Sequence, residues 1–309
     1  MQEYNFSTVN QSFDTAFTLW ATATFVVSFI GSFFSCLVFL SIVCQPKLRT
    51  GSGALIGHVL ILRFLTCAIH FPLFCVQACL AHAGVYLTVD CDAFAVAFIG
   101  FLHVEHWTDC FLSINRLIAI LYPHRYAVWR SKNVVGSMIV VAWILGLCST
   151  VPFFYGFGLE FRIANLGSCE PHVTDTGQAL ILLILGAFLP VGIRGILHTV
   201  ICVRTTTCAR SQWEPVQADH NNHSMTRTAK RSVVVARMLF ASFIWYALCL
   251  LPIPVVLTGF QHVFDENIIV RFWLHFLILC GNAADPIIFL LMNGDYRTGV
   301  TRTISTAFS

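Results

Sequence analysis

The stretch from Cys91 to Pro123, CDAFAVAFIGFLHVEHWTDCFLSINRLIAILYP, decides how the rest of the chain can be organised. As a helix, residues 91–122 would be about 46 Å long at about 1.5 Å per residue, which is enough to cross a bilayer at a steep tilt. Four polar side chains stand in its middle, between two apolar runs: His103, Glu105, His106 and Asp109. Because ionisable groups are costly at the bilayer centre and usually functional, this stretch predicts a spanning helix that carries a site.

The composition of the whole chain is that of a polytopic helical membrane protein. Of its 309 residues, 57% are hydrophobic and only 11% are charged, which is more apolar surface than one soluble core can bury. The net charge of +3 does not predict nucleic-acid binding, because the basic residues fall mainly in loops. Most of the thirteen cysteines lie inside apolar runs, where a free thiol behaves as a small buried hydrophobe.

Seven apolar segments predict seven helices that span the lipid bilayer. The expected spans are residues 16–44, 54–80, 91–123, 134–157, 177–203, 231–259 and 268–292. The fold class is therefore an all-α, seven-transmembrane helix bundle over residues 16–292. Residues 1–15 form a polar N-terminal segment with glycosylation sequons at Asn5 and Asn10. Residues 293–309 form a cytoplasmic tail with a short interfacial helix.

The lysine and arginine residues are divided unequally between the two sets of loops. One set holds fourteen of the eighteen, and the other holds only Arg162 and Arg271. The remaining two, Arg63 and Arg194, lie inside predicted spans. Because basic residues in short loops favour the cytoplasmic side, we expect a multi-pass protein of the plasma membrane with an extracellular N-terminus.

Charged residues on different predicted spans lie at similar depth in the membrane. Arg63 is about ten residues from the cytoplasmic end of the second span, or roughly 15 Å deep, and Glu105 and Asp285 lie at comparable depth. A lone charge there costs about 2.5–3.5 kcal/mol even on a lenient scale. We therefore expect Arg63 to pair with Glu105 and Asp285, and Asp109 is a candidate partner for Arg194. Such a cluster either only fastens the helices together or also repacks as a switch, and the residues leave both open.

Seven sequence features occur in the same order as in the rhodopsin-like G-protein-coupled receptors, which the chain resembles over essentially its whole length. Arg116 follows Cys91 by 25 residues, and Asn115-Arg116-Leu117 stands where that family has Asp-Arg-Tyr. The other matching features are Cys169, Trp143, Pro190, Pro252, the segment Asp285-Pro286-Ile287-Ile288-Phe289 in place of Asn-Pro-x-x-Tyr, and Tyr296.

The resemblance implies roles for several of these residues. It implies a disulfide between Cys91 and Cys169 and a cytoplasmic site that engages a heterotrimeric G protein. That site comprises Asn115, Arg116 and Leu117, and Asn115 replaces the acid that would restrain the arginine. The prolines that remove backbone donors from the sixth and seventh spans are candidate hinges: Pro252, Pro254 and Pro286.

A ligand cavity is expected in the outer half of the bundle. By resemblance its lining would be Phe98, Ile99, Leu102, Leu182, Ile253, Leu257, His275 and Leu279. A mostly apolar lining suits a small, largely apolar ligand. The lysines are confined to positions 47, 132 and 230, so no retinal Schiff base can form in the seventh span. Phe98 stands where amine receptors carry an aspartate, so a biogenic amine is not expected.

A narrower similarity is carried by one phrase and two substitutions. Leu250 replaces the family's usual tryptophan, and Arg63 replaces its usual aspartate. The phrase Leu-Ser-Ile-Asn-Arg-Leu, followed by Tyr-Pro, is similar to nematode serpentine chemoreceptors. The resulting prediction is a chemosensory receptor that binds a small extracellular molecule and promotes nucleotide exchange on a heterotrimeric G protein.

Other functions are considered beside this one. The loops show no metal-ligand spacing, nucleophile elbow or phosphate loop, so we expect neither an enzyme nor a cofactor or bound metal. His103 and His106 could ligate a metal or sense protons, or simply bond to a neighbouring helix. A non-signalling escort or decoy receptor is compatible with Asn115 and Leu250. An ion channel or transporter could use Arg63 and the buried acids as a charge pathway, but it predicts internal repeats that the sequence does not show.

Overall fold

In a computed structural model of the chain, nine ranges of residues are described. They are residues 6–46, 48–49, 52–85, 90–122, 124–163, 169–211, 236–237, 239–292 and 294–307. Their elements in chain order are α1 Phe6–Cys44, α2 Ser52–Leu65, α3 Phe71–His82, α4 Cys91–Leu121, α5 Tyr126–Trp129, α6 Lys132–Phe154, β1 Leu159–Ile163, β2 Cys169–Val173, α7 Thr176–Leu183, α8 Leu189–Ser211, α9 239–250, α10 Pro252–Gly259, α11 Gln261–Glu266, α12 Ile268–Met292 and α13 Gly294–Ala307.

These elements make seven spans, and the prediction of a seven-helix bundle is confirmed. A π-helical turn at Thr66–His70 joins α2 to α3, and another at Ile184–Phe188 joins α7 to α8. A turn at Leu251 joins α9 to α10. Among the described residues, six spans are apolar and long enough to cross a membrane by composition alone. The remaining span is the 31-residue helix α4, which carries the polar residues at its centre.

The start of the first helix is the boundary that differs most from the sequence prediction. Helix α1 begins at Phe6, ten residues before the predicted start at residue 16. Residues 6–15 contain no proline or glycine, so nothing in the local sequence stops the helix when it leaves the apolar region. The polar tail also contains a helix, α13, as expected from the sequence.

The polar segment between the fourth and fifth spans contains a β-hairpin. Strands β1 and β2 are antiparallel, with Leu159 opposite Val173 and Ile163 opposite Cys169. A disulfide joins Cys169 to Cys91 at the first residue of α4, with the two Cα atoms 5.2 Å apart. Arg271 at the start of α12 forms an ion pair with Glu170 of β2. The hairpin is thereby fastened to the third and seventh spans and covers one end of the bundle.

The two ends of the bundle are distinguished by contacts between distant segments. At the hairpin end, Asp14 of α1 lies 3.4 Å from the His82 ring, so the N-terminal part of α1 is on that side. At the opposite end, the side-chain amide of Gln45 donates a 2.6 Å hydrogen bond to the Gly299 carbonyl of α13. The chain therefore has its N-terminal helix start and its C-terminal helix at opposite ends of the bundle.

Helix α4 lies at the centre and packs against the second, fourth and fifth spans. Its approach to α6 is closest at Gly146, where an added Cβ would lie 2.5 Å from Cγ2 of Val104 and 2.8 Å from its backbone nitrogen. Three residues earlier, Trp143 donates a 3.0 Å hydrogen bond to the His58 ring of the second span. Glycine is required at position 146 because the two backbones leave no room for a side chain.

This packing predicts different effects for two glycine substitutions on α6. Gly146→Val would force α4 and α6 apart, and we expect it to lower the melting temperature of the purified protein in detergent by several degrees. Gly136→Val is the matched control, because position 136 is exposed and an added Cβ there meets nothing within 4 Å. Tryptophan fluorescence during heating measures both. Equal effects of the two substitutions would contradict the close approach of the helices.

Candidate functional site

Four buried charged side chains from three spans meet in the middle of the bundle. Arg63 donates from Nε to Oε1 of Glu105 at 2.9 Å and from Nη2 to Oδ2 of Asp109 at 3.2 Å. Its Nη1 lies 2.5 Å from Oδ2 of Asp285, as an ion pair outside hydrogen-bond angles. All four side chains are at least 96% buried. The structure therefore brings together the three residues that the sequence placed at similar depth, Arg63, Glu105 and Asp285, and adds Asp109 to them.

A second arginine and two polar residues complete this charge cluster. Nη1 of Arg194, on the fifth span, donates to the same Oδ2 of Asp109 at 2.6 Å. On the sixth span, Ser242 donates to Oδ1 of Asp285 at 2.5 Å. The Tyr246 ring lies under both guanidinium groups, with its centroid 5.6 Å from Cζ of Arg63 and 5.2 Å from Cζ of Arg194. The cluster thus ties together five of the seven spans.

Sequence reasoning found Arg194 as a partner of Asp109 but missed Ser242 and Tyr246. A signal for them exists, because two polar residues four positions apart lie on the same face of a helix.

The charge cluster contains more acidic groups than basic groups: three carboxyl groups face two guanidinium groups. The cluster would carry a net charge of −1 if all were ionised, and Oε2 of Glu105 is buried without a hydrogen-bond partner in the described structure.

A cavity of about 100 Å³ lies between the charge cluster and the hairpin. The strands of the hairpin form its roof, and Leu250 of the sixth span is among the residues that line it. Six of the eight residues expected from the sequence line it: Phe98, Ile99, Leu102, Ile253, Leu257 and His275.

The other two expected lining residues, Leu182 and Leu279, do not line the cavity, and the prediction is corrected at these two positions. Both are buried, but their neighbours Leu183 and Ile278 line the cavity instead. One residue along an α-helix turns the side chain by about 100°, so a shift of one position moves a residue from the cavity wall into the helix packing. Leu182 packs in the cluster beneath the hairpin, and Leu279 packs between the second, third and sixth spans.

Four histidines line the cavity, whereas the expected lining included only His275. The other three are His70, His103 and His106. The His70 ring stacks on Phe98, with the planes 1° apart and the centroids 3.7 Å apart. No group of three or more His, Cys, Asp or Glu side chains is arranged to hold a metal ion in the part of the chain that the structure describes.

His103 and His106 each bond to a neighbouring span. His103 Nδ1 lies 2.9 Å from Oγ of Ser149 and 3.0 Å from Oγ1 of Thr150, both on the fourth span. His106 Nδ1 lies 2.8 Å from the carbonyl oxygen of Gly186 in the π-helical turn of the fifth span. An added Cβ at Gly186 would lie 2.2 Å from the His103 ring, so this turn can approach α4 only because its residue is a glycine.

The opposite end of α4 carries the residues expected to engage a G protein. Asn115 is fully buried, and neither of its amide atoms has a hydrogen-bond partner among the described residues. Arg116 and Leu117 are half-buried. Burial raises the pKa of the Tyr296 hydroxyl in α13, and the nearby positive charge of Arg116 acts in the opposite direction. The structure thus places Arg116 close to the C-terminal helix.

Two of the three expected hinge prolines lie at an interruption of the sixth span, and the third lies inside the seventh. The sixth span turns at Leu251, and α10 begins at Pro252 with Pro254 two residues later. Pro286 lies inside α12, next to Asp285 of the charge cluster.

Of the two expected glycosylation positions, Asn5 lies outside the described residues. Asn10 lies in α1, but its side chain is outside the described part of the structure.

Comparison with known proteins gives one family and several relatives. A family model described as "7 transmembrane receptor (rhodopsin family)" matches residues 34–289. The chain is 24% identical to galanin receptor 2a of Danio rerio, over 92% of this chain and 77% of the relative. It is also 24% identical to the violet-sensitive opsin of Xenopus laevis, over 94% and 82% respectively. Neurotensin receptor type 1 of Mus musculus is 23% identical, over 63% of this chain and 53% of the relative.

The charge cluster predicts that its carboxyl groups are not equivalent. Asp109 is the acid that pairs with Arg194 among the described residues, so Asp109→Asn leaves that buried guanidinium group without an acidic partner and should cost about 3–5 kcal/mol of stability. Glu105→Gln removes the excess negative charge and keeps an oxygen that can accept from Arg63, so it should cost less than about 1 kcal/mol. Melting temperatures of the two variants in detergent measure the difference. If Glu105→Gln destabilised as much as Asp109→Asn, this assignment of the surplus charge would be wrong.

Proposed function

The chain belongs to the rhodopsin family of seven-transmembrane receptors, and from this premise we propose that it is a chemosensory receptor for a small, largely apolar extracellular molecule. In this proposal the bound molecule promotes nucleotide exchange on a heterotrimeric G protein. Membership of a receptor family, over residues 34–289, makes the chain a receptor rather than an enzyme. The observation that carries the proposal is the roofed, histidine-containing apolar cavity directly above the charge cluster.

The size of the cavity supports a small ligand. Its volume of about 100 Å³ is below the roughly 300–1,000 Å³ of typical ligand pockets. A cavity of about 150 Å³ lined by aliphatic and aromatic side chains can hold benzene, so about 100 Å³ suits a molecule of only several heavy atoms. A peptide ligand would require the hairpin roof to move away. Retinal would require a lysine in the seventh span, and lysine occurs only at positions 47, 132 and 230.

A chemosensory role is supported by the sequence around Arg116. The phrase Leu-Ser-Ile-Asn-Arg-Leu, over residues 112–117, is similar to nematode serpentine chemoreceptors. A small aliphatic residue, Leu250, also stands at the cavity where most of the family has tryptophan. Both features fit a receptor whose ligand is small and apolar.

The proposed mechanism couples the cavity to the cytoplasmic end through α4. His106 lines the cavity, Asp109 lies one turn further along, and Arg116 lies two turns beyond that. A ligand can shift the receptor only by binding more tightly to one conformation than to the other. We propose that the favoured state repacks the charge cluster and swings the sixth span outward at the Leu251–Pro254 break. That movement would expose Arg116 to a G protein.

The proposed location is the plasma membrane, with the N-terminus and the hairpin outside. The distribution of lysine and arginine supports this orientation, because fourteen of these basic residues belong to the set of loops on the side opposite the hairpin. The disulfide between Cys91 and Cys169 also supports it, because disulfides persist in oxidising surroundings. In this orientation Asn5 and Asn10 are on the side where glycosylation takes place.

Two rival functions remain to be distinguished by experiment. A non-signalling escort or decoy receptor would bind the ligand without exchange, and Asn115 and Leu250 are the residues that suggest it. An ion channel or transporter would use the charge cluster as a pathway. In the structure the arginines and acids of that cluster pair with one another, which favours a fastening or switching role.

The first functional prediction concerns Arg116. In membranes that contain the chain and a purified G protein, one member of a panel of small alcohols, ketones, esters and hydrocarbons should stimulate nucleotide exchange. Arg116→Ala should abolish the stimulation without abolishing ligand binding. The matched control is Arg162→Ala in β1, which removes only a solvent-exposed ion pair with Glu160 at the opposite end. Exchange that persists in Arg116→Ala, or ligand-evoked current without a G protein, would contradict the proposal.

The second functional prediction concerns the cavity itself. Ala187 is buried and lines the cavity, so the phenyl ring of Ala187→Phe would occupy most of its volume. We expect this variant to lose stimulation by the compound that activates the unmodified chain. Leu185→Phe is the control, because Leu185 is 44% exposed on the same π-helical turn and faces away from the cavity. A full response in Ala187→Phe would place the ligand elsewhere.

A further inference from the structure

Three histidines of the cavity lining have their ring protons assigned by hydrogen bonds to other parts of the chain. Nδ1 of His106 lies 2.8 Å from the carbonyl oxygen of Gly186, and Nδ1 of His275 lies 2.9 Å from that of Arg271. A carbonyl oxygen can only accept, so both Nδ1 atoms must carry a hydrogen. In the neutral rings, Nε2 is then a lone-pair acceptor.

The third ring, His103, reaches the same state by a less direct route. Its Nδ1 contacts the hydroxyl groups of Ser149 and Thr150. Each hydroxyl has one hydrogen and donates it to the carbonyl oxygen of Gly146, at 2.9 Å and 2.8 Å. The hydroxyl oxygens are therefore acceptors toward the ring, so Nδ1 of His103 is the donor and its Nε2 is an acceptor.

His106 provides the strongest observation among the three. Its side chain is 97% buried, and its Nε2 has no hydrogen-bond partner in the described part of the chain. A buried acceptor without a partner costs about 1–3 kcal/mol, so a group that can donate to it is favoured. Apart from the four imidazoles, the side chains that line the cavity are apolar: phenylalanine, leucine, isoleucine, alanine and proline, with the disulfide sulfur of Cys169.

From these contacts we propose that the cavity selects small apolar molecules that carry one hydroxyl group, and that this hydroxyl donates its hydrogen to Nε2 of His106. The inference rests on the proposed function and adds the chemical class of the ligand. Aldehydes, ketones and ethers only accept hydrogen bonds, so they cannot donate to the Nε2 acceptors of His106, His103 and His275. An alcohol or a phenol of the same size satisfies the buried acceptor.

The position of His106 also explains how such a ligand could act on the rest of the receptor. His106 follows Glu105 directly and lies one helical turn before Asp109, and its ring centroid is 5.9 Å from that of Tyr246. Tyr246 lies under both arginines of the charge cluster, and its hydroxyl also has no partner among the described residues. A hydrogen bond at His106 Nε2 therefore forms in contact with the groups that hold the spans together.

The test uses two pairs of isomers that differ in the presence of a donor. 1-Propanol and ethyl methyl ether have the same atoms, as do 1-butanol and diethyl ether, and all four are small enough for the cavity. Binding to the purified full chain is measured by the shift in melting temperature over a range of concentrations. We expect each alcohol to bind about fivefold more tightly than its ether, which is the ratio for one net hydrogen bond of ~1 kcal/mol.

Variants of His106 assign the preference to its ring. His106→Phe should bind alcohol and ether equally, since the ring remains but the acceptor is lost. His106→Gln should keep part of the preference, because its amide can donate to Gly186 and accept from the ligand. His262→Phe is the matched control, because His262 is exposed in α11 and outside the cavity lining. If His106→Phe does not fold, the assignment to His106 is decided by the ratio of alcohol affinity to ether affinity in His106→Gln, which should be smaller than in the unmodified chain.

Several results would overturn the inference. They are equal binding of the isomers to the unmodified chain, no binding of either alcohol, and an alcohol preference that survives in His106→Phe. Nucleotide exchange in response to a ketone, an ester or a hydrocarbon, with no binding of alcohols, would overturn the hydroxyl inference and leave the proposed function intact. Selective binding of alcohols without exchange by any compound would support the hydroxyl inference and reject the signalling function.

Discussion

The arrangement of the bundle depends on one guanidinium group, that of Arg63, which is fully buried. Glu105 and Asp109 reach it from the third span and Asp285 from the seventh. Asp109 in turn binds Arg194 of the fifth span, and Asp285 accepts from Ser242 of the sixth. Each contact sets the separation of two helices, because leaving a buried ion unpaired costs about 3–5 kcal/mol. The choice of a charge at position 63 therefore constrains five of the seven spans.

Helix α4 connects this constraint to both ends of the molecule. The part of α4 nearest the hairpin lines the cavity, its middle supplies two of the acids, and its far part carries Asn115 and Arg116. The π-helical turn of the fifth span fits against α4, since Gly186 has no side chain to collide with His103 and its carbonyl accepts from His106. A change at the cavity therefore acts on the charge cluster through direct contacts, and α4 continues from the cluster to Arg116 at the opposite end of the bundle.

The residues that meet because they lie at the same depth along their membrane spans could be predicted from the sequence. Helices rise by a constant amount per residue, so Arg63, Glu105 and Asp285 could be placed at one level by counting from the ends of their spans. The residues whose position depends on the rotation of a helix about its own axis could not be predicted. On the fifth and seventh spans the expected lining residues Leu182 and Leu279 were each one position away from Leu183 and Ile278, which line the cavity. His70, His103 and His106 were not expected as lining residues for the same reason, since the direction a side chain faces depends on how neighbouring helices pack.

The sequence by itself determined the seven spans and the need for Arg63 to find acidic partners, because hydrophobicity, helix length and charge are properties of local segments. Only the tertiary structure decided that Asp109 is shared between Arg63 and Arg194, that a hairpin covers the cavity, and that the histidine rings present Nε2 as an acceptor. Arg194 is 85 residues from Asp109, and Gly186 is 80 residues from His106. Contacts over such separations exist only after the helices have packed, so no local pattern specifies them.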